Sequence, residues 1–401
     1  MFAATSWWSR LCWSLAAVCA LSFSVSARAQ VGVAPGLEAN RRRLDMVRLL
    51  PPDSPDASHA EDSLASPSDR PVPWSTLEGA DAVDVYEVPC CTLCSCAYAS
   101  VELLYLHRAA ASDALPLVDD ANSGATLLTG DALSFGFQPG MRALIGLRAS
   151  DLGGVEFGYF GYFDHSATTF ASSAAYPGAT LALPGPLGGA SNVFFGLTDA
   201  TFDYRSSIHS FEINWTFCCC DERTDGCGRS LAYSVEWLAG LRYLTLDEQL
   251  RINGRRFETV DFETGVYHID ARNDLYGVQT GLRSRICRGS WAAEGSAKAG
   301  LFTNQAGQSQ YLVDYPDFLL RPPAGDSGTS MAFVGELGFT AIYQWNQNWG
   351  LRAGYDLIWL QGVALAPSQL DYSFTLDSGT SYERGDGLFL HGFRLGVEAR
   401  W

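Results

Sequence analysis

The chain has 401 residues, a formal charge of -17 and a hydrophobic content of 47%. This composition allows either several soluble domains or one large all-β unit with a packed interior. The acidic balance argues against a nucleic-acid partner, because binding nucleic acid requires basic surface that neutralises phosphates.

The first 29 residues have the pattern of a secretory signal peptide. Arg10 precedes an apolar run over residues 11–25, and Ala27 and Ala29 supply the small residues ahead of a cleavage site. The apolar run is too short to be a membrane-spanning helix. We therefore expect residues 1–29 to direct export and to be removed.

Residues 30–96 are predicted to be a disordered periplasmic linker. The stretch from residue 51 to residue 73 contains six prolines among many Ser and Asp residues. Such a composition cannot bury enough apolar surface to fold alone. Only residues 41–50 could form a short amphipathic helix, and the linker ends in a cluster of four cysteines.

From Ala97 onward, apolar and polar residues alternate with the period of a β-strand. The run over residues 231–243 is the clearest, because Trp237, Ala239 and Leu241 alternate with Glu236, Gly240 and Arg242. The ten runs occupy residues 97–107, 141–149, 155–163, 207–217, 231–243, 276–283, 291–301, 333–344, 349–359 and 393–401. Most exceed the roughly five or six residues of a soluble strand and suit tilted membrane strands of about 9–11 residues.

Short and long connections alternate strictly between these runs. The short connections are residues 150–154, 218–230, 287–290 and 345–348, and the long ones are residues 109–139, 164–203, 245–272, 303–330 and 361–387. Short periplasmic turns and long outer loops are typical of bacterial outer-membrane barrels. We therefore predict an all-β fold, an antiparallel transmembrane β-barrel of about 10–12 strands over residues 97–401. Its last strand, which ends at Trp401, should pair with its first. A secreted soluble β-protein is the alternative.

Charged residues recur on the strand phase that should face the interior of the barrel. The candidate lumen-lining residues are Glu102, Arg142, Arg148, Glu156, Glu212, Glu236, Arg242, Arg283, Glu294, Lys298, Glu336, Arg352, Asp356, Arg394 and Glu398. They could line a channel that sorts solutes by charge. They could also form a salt-bridge network that fills a narrow barrel, because side chains already fill the interior of a barrel of eight strands. We favour the network slightly.

Nine cysteines follow the signal peptide, and the predicted topology places all of them at the periplasmic rim. They are Cys90, Cys91, Cys94, Cys96, Cys218, Cys219, Cys220, Cys227 and Cys287. An oxidising compartment favours disulfides, most simply within the chain. Because nine is odd, one thiol stays free or pairs with another chain, so crosslinking to other envelope proteins is a second hypothesis. A metal site is a third, although no second spaced pair completes a zinc pattern.

Three segments carry a family resemblance. The first strand (residues 100–106), the first loop with Leu115-Pro116-Leu117-Val118 and the Gly-rich second strand are similar to the outer-membrane β-barrel porin family typical of planctomycete bacteria. The resemblance covers residues 97–401 and implies an outer-membrane location and a porin-like role. The last strand resembles the C-terminal assembly signal of such barrels, which implies outer-membrane lipid and the barrel assembly machinery as partners.

The sequence therefore predicts an integral protein of the bacterial outer membrane, with porin-like passive transport of small solutes as its function. The alternative is a structural envelope protein that is crosslinked through its periplasmic cysteines. We predict no cofactor, no nucleic-acid partner and no enzymatic activity, because no phosphate-binding loop or nucleophile elbow is present.

Overall fold

A computed structural model of the chain describes residues 97–109, 115–150, 153–224, 230–258 and 261–401. The predicted signal peptide and linker lie outside these residues. So do Cys90, Cys91, Cys94, Cys96 and Cys227, and the side chains of Cys218, Cys219 and Cys220 are not described either. Among the described residues, no helix is long and apolar enough to cross a membrane.

The described part of the chain is built mainly of β-strands. These are β1 (Ala97–Arg108), β2 (Pro116–Asp120), β3 (Thr126–Thr129), β4 (Phe135–Ser150), β5 (Gly153–Ser172), β6 (Leu181–Ala182), β7 (Asp199–Thr224), β8 (Ser230–Glu258), β9 (Asp261–Arg288), β10 (Trp291–Asp314), β11 (Phe318–Gln344), β12 (Trp349–Val363) and β13 (Asp386–Arg400). One short helix, α1, spans Gly185–Ala190.

Ten of these strands form a closed antiparallel barrel in the order β1-β13-β12-β11-β10-β9-β8-β7-β5-β4. Strand β1 pairs with β4 on one side and with β13 on the other. The register between β1 and β13 runs from Tyr98 opposite Arg400 to Arg108 opposite Leu390. The backbone N–H of Trp401 also donates to the carbonyl oxygen of Ala97 at 2.9 Å. The predicted barrel class is thus confirmed, and the last strand closes on the first.

An apolar band surrounds the half of the barrel that carries the short turns. On β1, Val101, Leu103 and Tyr105 point outward and are 52%, 70% and 53% exposed. On β10, the outward residues stay small or apolar from Trp291 to Leu301 and become polar at Thr303. With strands tilted by about 40°, this length covers about 25 Å of bilayer. We assign the side with the short turns to the periplasm, because bacterial barrels have short periplasmic turns.

The hairpins on the other side continue far beyond this band. Strands β8 and β9 pair up to Glu258 and Asp261, and β10 and β11 pair up to Asp314 and Phe318. The prediction of long loops over residues 245–272 and 303–330 was therefore wrong.

The physical reason is an inversion of polarity that leaves the strand pairing intact. On β8 the outward residues change from Leu241 and Tyr243 to Asp247 and Arg251, while inward residues such as Ile252 become apolar. The alternation continues with its two faces exchanged. We call this part of the barrel the extracellular extension.

A hydrophobic core fills the extracellular extension. We call it the extracellular core; it includes Leu117, Phe135, Leu183, Phe194, Phe202, Leu250, Ile252 and Ile269. The first two long connections contribute the small sheet β3-β2-β6 and α1, which cover the inward apolar faces of β7, β8 and β9. This half of the barrel is therefore constructed like a water-soluble β-domain, with polar residues outside.

Two neighbouring substitutions on β8 test the inverted polarity. Ile252→Ala should lower the free energy of unfolding by about 2–4 kcal/mol, because it removes fully buried apolar volume from the extracellular core. Arg251→Ala changes an exposed residue on the opposite face and should change stability by about 0.5 kcal/mol or less. Guanidinium unfolding of the folded protein in detergent measures both. Equal losses would contradict the assignment of the two faces.

Candidate functional site: the barrel interior

The fifteen charged residues predicted to line the lumen all lie inside the barrel. Each forms at least one ion pair with another strand. Their side chains are at most 20% exposed. The structure brings these residues together as a paired network and leaves few charges directed at open space.

Arg352 on β12 forms ion pairs with three carboxylates of the network. Its guanidinium reaches Oε1 of Glu102 at 2.8 Å, Oε1 of Glu294 at 2.8 Å and Oε2 of Glu398 at 2.6 Å. Arg285 bridges the same Glu294 and Glu398 at 2.8 Å each. Two cations thus hold three carboxylates from β1, β10 and β13, and charge-assisted hydrogen bonds of this kind are roughly twice as strong as neutral ones.

A second group crosses the middle of the barrel. Glu336 on β11 accepts from Arg242 on β8 at 2.6 Å and lies 3.7 Å from Arg142 on β4. Arg142 also reaches Asp356 on β12 at 2.9 Å, and Asp356 lies 3.1 Å from Arg394. Because β4, β8 and β11 lie on different sides of the ring, these contacts span the cross-section of the lumen.

A third group is centred on charged residues of β5, β8 and β9. Arg283 lies between Glu156 at 2.8 Å and Glu236 at 2.7 Å. The hydroxyl of Tyr98 donates to Glu156 at 2.8 Å, and Arg148 lies 3.8 Å from Glu236. The ion pair of Lys298 with Glu212 joins β10 to β7.

Arg285 and Tyr98 are members of the network that the sequence interpretation missed. Arg285 follows Arg283 on the same strand phase, so the signal was present. Tyr98 shares the inward phase of β1 with Glu102, but it is uncharged, and the predicted lumen lining rests on charged residues alone. The alternation along a strand therefore identifies the positions that face inward, whereas the ion-pair partner of each residue depends on the register between strands.

Inward glycines make room for the long charged side chains. A Cβ at Gly158 would lie 2.6 Å from Oε1 of Glu212, and a Cβ at Gly354 would lie 2.6 Å from Nε of Arg394. At Gly354 the backbone oxygen of Phe339 also lies 2.5 Å from the Cβ position, so glycine is required there, whereas a larger residue at Gly158 would displace the side chain of Glu212.

A small polar cavity remains within the network. Its volume is about 120 Å³, and it is lined by residues including Glu102, Glu236, Arg283 and Arg394. Buried atoms without a protein partner, such as Oε1 of Glu156 and Nε of Arg394, belong to residues of this network. A polar cavity of this size is large enough to hold several water molecules.

An apolar layer separates this network from the extracellular extension. It consists of Leu104, Leu106, Phe160, Tyr162, Ile208, Leu244, Leu246, Leu275, Phe302, Ala332, Val334, Ile358, Leu360, Val363, Leu365, Leu388 and Leu390. Nine of the ten barrel strands contribute to it. Because these side chains are only 0–5% exposed, no water-filled channel passes between them in this structure.

The last long connection, residues 364–385, folds into the mouth of the extension. The side-chain amide of Asn273 donates to the carbonyl of Ala364 and accepts from its N–H, both at 2.8 Å. Arg321 donates to the carbonyl oxygens of Asp371 at 2.9 Å and Ser373 at 2.7 Å. Burial raises the pKa of the neighbouring Tyr267 to about 12, although the charge of Arg321 acts in the opposite direction. Buried polar contacts therefore fix this connection as a plug.

Known structures offer several similar folds. The chain is similar to the outer membrane protease OmpT from Escherichia coli, with a TM-score of 0.41 and 10% identity over 76% of this chain and 96% of that chain. It is also similar to a FadL homologue from Pseudomonas aeruginosa, with a TM-score of 0.23 and 9% identity over 76% of this chain and 89% of that one. For the toluene transporter TodX of Pseudomonas putida the TM-score is 0.18, with 10% identity over 76% and 88% of the two chains. Structural similarity at these low values supports no conclusion about activity. No curated protein matches the sequence significantly.

The closed strand order, the apolar outer band and the paired interior define a transmembrane β-barrel protein. Residues 108–401 match the family described as Putative beta barrel porin-7 (BBP7), and the chain belongs to that family. The predicted resemblance to an outer-membrane porin family is thereby confirmed. The protein is an outer-membrane β-barrel, while its signal peptide stays a prediction.

Removing one central cation tests the interior network. Arg352→Met should lower the free energy of unfolding by about 3–5 kcal/mol, because Glu102, Glu294 and Glu398 would be left buried with fewer counter-charges. The matched control is Arg272→Met in the extension. Its side chain is 63% exposed and pairs with Asp274, so the loss should stay below about 1 kcal/mol. Chemical unfolding in detergent compares the two, and similar losses would contradict the paired interior.

The raised pKa of Tyr267 predicts a loss of stability at alkaline pH. Its phenol titrates near pH 10 in the unfolded chain and near pH 12 in the folded protein. The stabilisation is therefore complete below pH 10 and is lost as the pH rises from about 10 to about 12. Unfolding of the wild type and of Tyr267→Phe between pH 9 and pH 12 measures this difference. A parallel decline in the two proteins would show that Tyr267 does not contribute to it.

Proposed function

We infer that the protein is a closed barrel with a structural role in the cell envelope. In this proposal the transmembrane half is an anchor, and the extracellular extension is the part presented at the cell surface. The apolar layer carries the proposal, because it lies across the barrel interior between the charged network and the extracellular extension. No catalytic role is part of this proposal.

The physical argument rests on what an ion or polar solute would meet inside the barrel. It would first have to displace buried ion pairs, each of which leaves an uncompensated charge when one partner moves. It would then have to enter the apolar layer, where polar groups lose their hydration without gaining a partner. The plug formed by residues 364–385 contributes Leu365 to that layer and otherwise lies beyond it. Three successive obstacles favour a closed barrel over an open pore.

The cysteines extend the structural role to the periplasmic side. Cys287, at the end of β9, is buried with Ala232, Ala292 and Ile342 near the short turns. The cysteines of the predicted linker lie outside the described residues and precede β1, which begins on the same side of the barrel. Disulfides between them, or with other envelope proteins, would tie the barrel to neighbouring structures, and this link is a proposal.

Passive transport of small solutes is the second candidate function. The polar cavity of about 120 Å³ in the network favours it, because a porin needs a hydrated interior. Transport would require the apolar layer and the plug to move aside. A measurement of conductance through the folded protein therefore separates the two functions.

Planar-bilayer recording of the purified, folded protein provides that experiment. We expect no conductance steps above the background of protein-free bilayers, with or without reductant, because the lumen is filled. Folding is verified in the same sample by the change in electrophoretic mobility on heating, so a silent bilayer cannot be ascribed to unfolded protein. Reproducible steps from the folded protein would overturn the closed barrel and favour passive transport. Non-reducing electrophoresis of the native membranes that contain the protein tests for disulfide crosslinking. A purely monomeric band would remove the covalent link from the proposal.

A further inference from the structure

Two histidines lie side by side on the outer surface of the barrel. His107 on β1 is directly opposite His391 on β13, and their ring centroids are 5.1 Å apart. Each lies two residues beyond an outward aromatic of the apolar band, Tyr105 and Phe393, which are 53% and 59% exposed. The pair therefore lies at the extracellular boundary of the band, where the headgroups of the outer leaflet begin.

Aromatic rings enclose this pair on several sides. Phe137 lies 5.4 Å from His107 and 6.0 Å from His391, measured between ring centroids, and Phe389 lies 5.5 Å from His391. The hydroxyl of Tyr355 is 2.7 Å from Nδ1 of His391. Aromatic side chains of this kind favour the membrane–water interface. They hold the two imidazoles at the level of the membrane where lipid headgroups are adjacent to the barrel.

The pair has no protein counter-charge within the described residues. The titratable groups that face it are Tyr105 on β1 and Tyr355 on β12, and Phe137 is the neighbour from β4. Arg108, next along β1, points inward and pairs with Glu248 at 2.6 Å. No described carboxylate forms an ion pair with His107 or His391. When protonated, the two rings therefore have no anionic partner among the described residues, and an external anion can supply one.

His268 shows the contrasting arrangement on the outer face of the extension. Its Nε2 lies 3.0 Å from Oδ2 of Asp270, so this imidazole already has an anionic partner. It also lies well beyond the apolar band on β9, away from lipid. The boundary pair therefore differs from His268 both in location and in its lack of a counter-charge.

We propose that His107 and His391 form a binding site for the phosphate of an acidic phospholipid headgroup. Imidazole is the side chain that changes charge near neutral pH, so binding should strengthen as the pH falls. Each ring can donate a hydrogen bond to phosphate oxygen in its charged form, and such charge-assisted bonds are strong. The site binds lipid from the side and does not depend on whether the barrel conducts.

Histidine NMR on the folded protein in nanodiscs tests the site. The protonation midpoints of all described imidazoles are measured in phosphatidylcholine alone and in phosphatidylcholine with phosphatidic acid. His107→Gln and His391→Gln assign the signals. We expect the acidic lipid to raise the proton affinity of His107 and His391 roughly tenfold, the effect of about 1.4 kcal/mol of added attraction. His268 should not change.

His209 is the matched control for the general surface potential of an acidic bilayer. It lies two residues beyond the outward Phe211 on β7, and its Nδ1 is 3.0 Å from the hydroxyl of Tyr159. It thus occupies the same boundary without a second imidazole. If the protonation midpoint of His209 rises as much as those of His107 and His391, the cause is the surface potential and the proposal is overturned. The proposal is also overturned if the midpoints of His107 and His391 do not change. If inorganic phosphate added to phosphatidylcholine nanodiscs reproduces the shift, the ligand is free phosphate and the lipid assignment is wrong.

Discussion

The pairing of the first barrel strand with the last determines the rest of this structure. In a bilayer every backbone N–H and C=O needs a partner within the protein, and only a closed sheet provides this for strands. The register of β1 with β13 supplies the final set of these bonds. Once the ring of ten strands is closed, the direction of each side chain is fixed by its position along the strand.

The size of the ring then determines what the inward side chains must do. Ten strands enclose little more space than the eight that side chains already fill. Long charged residues from opposite walls therefore meet and pair, as Arg142 and Asp356 do across 214 positions of sequence. Beyond them the inward positions become apolar and the cross-section fills with hydrocarbon. Charge in the lumen is thus a means of filling it.

The sequence predicted the transmembrane half well because one periodic signal decides it. Lipid on one face and polar groups on the other give a clear alternation, and this identified ten strands and the closing pair. The same signal failed above Tyr243, because the apolar residues move to the inward phase at Leu244 while the strand continues. A search for outward apolar residues reads this exchange as the end of a strand. The contacts of Arg285 and the plug depend on register between distant strands, which one sequence does not reveal.

The single lysine has a practical consequence for work on intact cells. Lys298 is the only primary amine of a side chain in the protein, and it is 12% exposed in its pair with Glu212 inside the barrel. Reagents that acylate amines reach surface lysines readily, but here they would find none on the outer face of the folded barrel. The protein would thus escape amine-directed surface labelling even where it is abundant, and probes that modify carboxylates or tyrosines would detect it instead.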